Sequence, residues 1–257
     1  MSRFNNLEFG DSLGDGQEQN PVLKDENYYL NEAHRFYEQG DFEQGLRAYS
    51  KVLEYNPENS VAWTAQVKML IELGEFREAK VWADKALERF PHEPELLAAK
   101  GVALCRMGDL KTAMAFSDAA IEERGDTAYV WIARGDVQLA RREKHADFCF
   151  NKAMERAGRS WFVPWLISRV YSHYLKFALA LQTIQKALEW DAGQAVVWFQ
   201  AGRCQQAMGL VGHAEYSYEQ AAQLNPRLMA LQEARRQLQE TDFWTRWRGW
   251  WRSTFNS

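Results

Sequence analysis

The sequence predicts an all-α chain built as a solenoid of antiparallel helix pairs, and three registers of small residues carry that prediction. Gly45, Ala79, Ala113, Ala146, Ala180 and Ala214 recur at steps of 34, 34, 33, 34 and 34 residues. Val52, Ala86, Ala120, Ala153, Ala187 and Ala221 keep the same steps seven positions later. Ala33, Val67, Gly101, Gly135, Ser168 and Gly202 form the third register. Two helices cross closely only where side chains are small, so these residues mark contact points.

Large residues fill the space between the contacts. Phe36, Leu70, Leu104 and Tyr171 fall in the first helices, and Tyr49, Phe150, Ile184 and Tyr218 in the second. Gly40, Gly74, Gly108 and Gly209 supply the tight turn inside a pair, where a positive φ is easiest for glycine. Pro57, Pro91, Gly125, Gly158 and Pro226 close the pairs, with Ala192 in the same slot.

With an aromatic near the start of the first helix (Trp63, Trp131, Trp198), these residues resemble the tetratricopeptide repeat (TPR) family over roughly residues 26–228. The resemblance implies a right-handed superhelix of six repeats at 26–59, 60–93, 94–127, 128–160, 161–194 and 195–228. It implies little about ligand, because the signature positions are packing positions. Two repeats depart from the pattern. In repeat four the 33-residue step and Arg141–Arg142 in place of the turn glycine predict a shortened turn. Repeat five opens on WFVPWLIS, with Pro164 in the first turn of its helix, and is the most degenerate unit.

Residues 1–25 are polar and acidic and read as a disordered arm. Residues 229–241 form an amphipathic helix with Leu231 and Leu238 on one face, which, with Leu228 just ahead of it, would cap the apolar end of the last repeat. Residues 242–257 make a tryptophan- and arginine-rich tail. Phe243, Trp247, Trp250 and Trp251 share one side at helical spacing, with Trp244 at its margin and Arg246, Arg248 and Arg252 flanking it. Such a segment suits the headgroup region of an anionic membrane. Two other readings stay open: the aromatics fold back as a larger cap, or they fill a groove on a protein or a second subunit.

The net charge of −4 argues against a general nucleic-acid binder. Cys105, Cys149 and Cys204 lack metal-ligand spacing and are odd in number, which fits a reducing compartment. The N-terminus has no signal-peptide core, and the longest apolar run, Trp161 to Ile167, is too short to span a bilayer. The expected location is therefore the cytoplasm, with peripheral membrane contact through the tail. None of the five histidines forms a metal-binding or nucleophilic motif, and no phosphate-binding loop or nucleophile elbow occurs. No catalytic residue, cofactor or metal is expected.

In the TPR family the groove is lined from the first helix of each repeat, and that implies a partner-binding role for Phe162, Trp165, Arg169, His173, Phe199, Arg203 and Gln206. Arginine beside aromatic residues suits an acidic segment with an apolar anchor. The carboxylate clamp of chaperone-binding TPR proteins is not reproduced, since Ala65 and Ala99 hold its slots. The expected function is a non-enzymatic adaptor that holds a protein partner. The alternatives are a soluble scaffold or oligomerisation module, and a cytoskeletal adaptor. The last follows from the overall plan, which resembles bacterial kinesin light chain-like TPR proteins associated with bacterial tubulin.

Overall fold

The computed structural model describes residues 24–228 and 230–238, and among these there are thirteen helices and no strand. The arm before residue 24 and the tail after residue 238 lie outside the described residues. The chain divides after Ala157 into two compact units, Met1–Ala157 and Gly158–Ser257. The first holds α1 (Glu26–Glu38), α2 (Phe42–Tyr55), α3 (Ser60–Glu72), α4 (Phe76–Arg89), α5 (Pro94–Arg106), α6 (Leu110–Glu122), α7 (Ala128–Ala140) and α8 (Ala146–Ala157). The second holds α9 (Phe162–His173), α10 (Phe177–Trp190), α11 (Ala195–Ala207), α12 (Val211–Leu224) and a last helix, α13, over residues 230–238. Within each unit consecutive helices pack as pairs, and among the first helices α3 packs on α5, α5 on α7 and α9 on α11.

The small residues sit where close approach demands them. Ala79, Ala113 and Ala214 are fully buried, as are Ala86, Ala120, Ala187 and Ala221. Ala113→Leu would force a longer side chain into a filled contact, and a loss of about 1–3 kcal/mol is expected. An unchanged melting temperature in that variant would contradict the contact.

Every pair closes with the same turn. The amide of Asp41 donates to the Phe36 carbonyl (2.9 Å), and Glu75 to Leu70, Asp109 to Leu104, Glu143 to Gln138, Lys176 to Tyr171 and Leu210 to Gln205 repeat the contact. The residue before each donor takes a left-handed backbone. Four of these are glycines, but Arg142 (φ 60°) and Leu175 (φ 56°) adopt it without glycine's freedom. The conformation costs such residues roughly 1–2 kcal/mol.

Repeat four corrects the expectation of a shortened turn. Its turn is intact, with Arg142 in phase with Gly108, and α8 begins only at Ala146, the contact residue itself. The missing residue is absorbed by the second helix, which loses its first turn. The turn's left-handed residue and paired hydrogen bonds fix its length, whereas a frayed helix start costs little.

Among the described residues, side-chain caps occur only at helix starts of the first unit, although Glu75 and Glu93 there give none. In the first, Asp25, Asp41, Asn59, Asp109 and Thr127 each accept a hydrogen bond from an amide of the helix they precede. In the second, Trp161, Lys176, Gln194 and Leu210 hold the same positions and give no side-chain cap. The aromatic near the first-helix start has a structural task in three repeats. The indole N–H groups of Trp63, Trp131 and Trp198 donate to the Pro57 carbonyl, an Asp126 carboxylate oxygen and the Ala192 carbonyl, each at 2.8 Å, and so pin the preceding linker. At the C-terminal end, Leu231, Ala234 and Leu238 of α13 are buried against Ala214, Tyr218 and Ala221, with Leu228 packed alongside.

Candidate partner-binding face of the C-terminal unit

The first helices of the second unit, α9 and α11, lie side by side in a register set by a buried polar seam. Gln200 Nε2 donates to Ser172 Oγ at 2.7 Å and to Ser168 Oγ at 3.3 Å, and Ser172 Oγ lies 3.5 Å from Cys204 Sγ. Cys204, like Cys105 and Cys149, is buried, and burial raises its pKa. This register brings Arg169 and Arg203, one repeat apart, within electrostatic reach of each other.

Arg169 stacks over the Trp165 ring, its guanidinium carbon 5.3 Å from the centroid. Trp165 packs against Phe162 at 5.3 Å and Trp161 at 6.1 Å, forming an aromatic cluster beneath the arginine. Trp165 is only 2% exposed, which corrects its assignment as a contact residue. It supports Arg169 from below, and Phe162, half-buried, forms the rim.

Arg203 is exposed and, among the described residues, forms no ion pair. Desolvation by its surroundings, and then the like charge of Arg169, hold its guanidinium below the usual arginine range. Phe199 and Gln206 are engaged with α12. Phe199 tilts against the Tyr218 ring at 5.9 Å, and Gln206 Oε1 accepts from the Tyr218 hydroxyl at 2.6 Å. Burial pushes the Tyr218 phenol up to about 12, although Arg203 pulls the other way. His173 is exposed at the end of α9, its ring edge-on to Tyr174. The seven sequence candidates thus separate into a half-buried Arg169 on an aromatic base of Phe162 and Trp165, an exposed Arg203 beside it, and two residues that brace Tyr218, with His173 at the margin.

The first unit treats its charges differently. Lys68 pairs with Glu95 and lies 4.0 Å over the Tyr129 ring, Arg106 with the buried Asp136 at 2.6 Å, and Lys100 with Asp84 at 2.6 Å. These cations are answered within the unit. Sequence reading could not find this contrast, because the Lys68, Arg106 and Lys100 partners lie 16 to 30 residues away.

Stacked helix hairpins with neighbouring first helices side by side define a helical-repeat fold. The tetratricopeptide repeat family model matches residues 36–100. Among solved structures, a tetratricopeptide repeat protein from Parabacteroides merdae is similar, with 17% identity over 85% of this chain and 86% of that one (TM-score 0.54). TTC0263, a thermophilic TPR protein of Thermus thermophilus, shares 19% identity over 71% of this chain and 98% of its own (TM-score 0.54). The Cut9–Hcn1 hetero-tetramer of the APC/C is similar over 85% of this chain and 44% of the other, at 12% identity and TM-score 0.50. These likenesses are of fold. No curated protein matches the chain.

Proposed function

We propose that the chain is a non-enzymatic scaffold that takes an acidic segment of a partner protein across Arg169 and Arg203, and touches an anionic membrane surface through residues 243–252. TPR proteins generally mediate protein–protein interactions as scaffolds. The observation that carries the first part is Arg203, a partly desolvated cation repelled by its neighbour and without an ion pair among the described residues. A carboxylate placed between the two guanidiniums would relieve the repulsion and accept charge-assisted hydrogen bonds from both. An apolar residue of the same segment would meet the aromatic rim at Phe162. Affinity capture from the native cell with the full chain and its Arg169→Glu/Arg203→Glu variant tests this part, and equal recovery of the same partners would overturn it.

The membrane part is supported by composition. Four tryptophans and three arginines fall within residues 244–252, and no Asp or Glu follows Asp242. Each basic residue near an anionic surface contributes about 1 kcal/mol, a term that salt screens, while ring burial supplies attraction that salt does not remove. Co-sedimentation with phosphatidylserine-containing vesicles should weaken but persist as salt rises. It should disappear when Trp244, Trp247, Trp250 and Trp251 are all replaced by alanine. Tryptophan emission already blue-shifted without lipid and indifferent to vesicles would show an internal cap instead. Among the described residues no helix is long and apolar enough to cross a membrane.

A further inference from the structure

The two turns that join the helix pairs of the second unit are unlike those of the first. After the left-handed residue the first unit places Asp41, Glu75, Asp109 and Glu143, whereas the second places Lys176 and Leu210. Acid has been removed from this edge and apolar surface put there. Leu175 is 74% exposed while held in a left-handed backbone, and Met208, Leu210 and Leu179 are also exposed. An exposed leucine in that conformation has neither burial nor glycine's freedom to explain it.

These residues share one edge. The contact of Ser172 with Cys204 aligns the ends of α9 and α11, so the turn at Leu175 lies beside the turn at Met208 and Leu210. α13 runs antiparallel to α12, because Leu238 and Arg235 meet Glu215, Tyr218 and Glu219 near the start of α12. Its last described turn therefore reaches the same edge.

Around the turn between α9 and α10 the charge has one sign. No Asp or Glu occurs between Glu155 and Glu189. Residues 158–257 carry 11 Lys and Arg against 7 Asp and Glu, a net +4, while residues 1–157 carry 20 against 28, a net −8. Exposed His173, Lys176 and His213 flank the apolar residues, and the exposed Glu215 and Glu219 of α12 line a pocket together with Arg235. Lys176 and the acid-free stretch around it suit an anionic surface.

We infer that the turn edge of the second unit, centred on Leu175, Lys176, Met208 and Leu210, is a docking face for an anionic membrane. Leu175 enters the headgroup region and Lys176 pairs with lipid phosphate or carboxylate. The ligand is taken from the membrane part of the reading above, but the site is separate from the tail.

The test is binding of the full chain to phosphatidylserine–phosphatidylcholine vesicles and to pure phosphatidylcholine vesicles. An edge variant carries Leu175→Asn, Lys176→Asp and Leu210→Asp. Asparagine tolerates the left-handed backbone and the aspartates restore helix caps, so this variant should melt no lower than the wild type. Its partitioning onto the anionic vesicles should fall about tenfold or more. Leu175→Gly alone, which relieves the same backbone, should show part of that fall without loss of stability. Wild-type partitioning in the edge variant overturns the proposal, and so does a fall confined to variants that melt lower. A four-tryptophan tail variant separates the two sites. If it binds normally while the edge variant does not, the edge stands and the tail reading fails; no wild-type binding to anionic vesicles removes both.

Discussion

Arg203→Glu is expected to abolish capture of the acidic partner while leaving the fold as stable as the wild type or slightly more so. A structural arginine would lose both when reversed, and the difference follows from its surroundings. Arg203 has no ion pair among the described residues, and Arg169 repels it. A glutamate at the same place would attract Arg169, and a partly exposed pair of this kind adds at most about 1 kcal/mol to stability. The bound carboxylate would then meet a carboxylate instead of a guanidinium. Truncating one partner of a buried charge pair costs roughly 2–5 kcal/mol, and reversal costs more. A loss of about a hundredfold to a thousandfold or more in affinity should follow, since each 1.4 kcal/mol is roughly tenfold. The double variant with Arg169→Glu should bind no better and should regain like-charge repulsion. Thermal melting beside quantitative capture separates the outcomes: retained capture, or loss of binding only together with loss of stability, removes the arginine pair from the function.

Gly202→Ala and Gly45→Ala should change stability in opposite directions, although both glycines occupy contact positions in helices. A Cβ at Gly202 would stand 2.5 Å from Cε1 and 2.6 Å from Cδ1 of Tyr218. That ring cannot retreat, since it is fully buried, tied to Gln206 by its hydroxyl and packed on Phe199 and the α13 leucines. Overpacking of about 3 kcal/mol, offset by about 1 kcal/mol of helix propensity, leaves a net loss near 2 kcal/mol. That corresponds to a melting temperature lower by roughly 4–8 °C for a chain of this size. At Gly45 the nearest contact is Met69 Sδ at 3.2 Å, in a flexible side chain that gives by a few tenths of an ångström. Gly45→Ala is therefore expected to be neutral or stabilising by up to about 1 kcal/mol. Equal melting temperatures for the two variants would mean that the third small-residue register is not set by ring packing.

The sequence by itself determined that this protein is a stack of helix pairs and where four of them turn, because the contact residues recur at a near-constant step and depend on side-chain size, and a glycine marks each of those four turns. Alanine at 79, 113 and 214 and glycine at 40, 74, 108 and 209 say where helices touch and reverse, whatever the rest of the fold does. The leucines that bury α13 were legible for the same reason, since they recur at helical spacing next to an exposed repeat end. Tertiary structure alone decided what those helices present. It put Trp165 under Arg169 rather than beside it, set Phe199 and Gln206 to brace Tyr218, and took the residue missing from repeat four out of α8 rather than out of its turn. It also paired the cations of the first unit with acids from neighbouring helices while leaving Arg203 of the second without such a partner among the described residues. Periodicity is a property of one helix and can be counted along the chain. Charge pairing and ring stacking depend on the rotation of one helix against another, and a few degrees there decide whether a cation meets an acid, a ring or an open face.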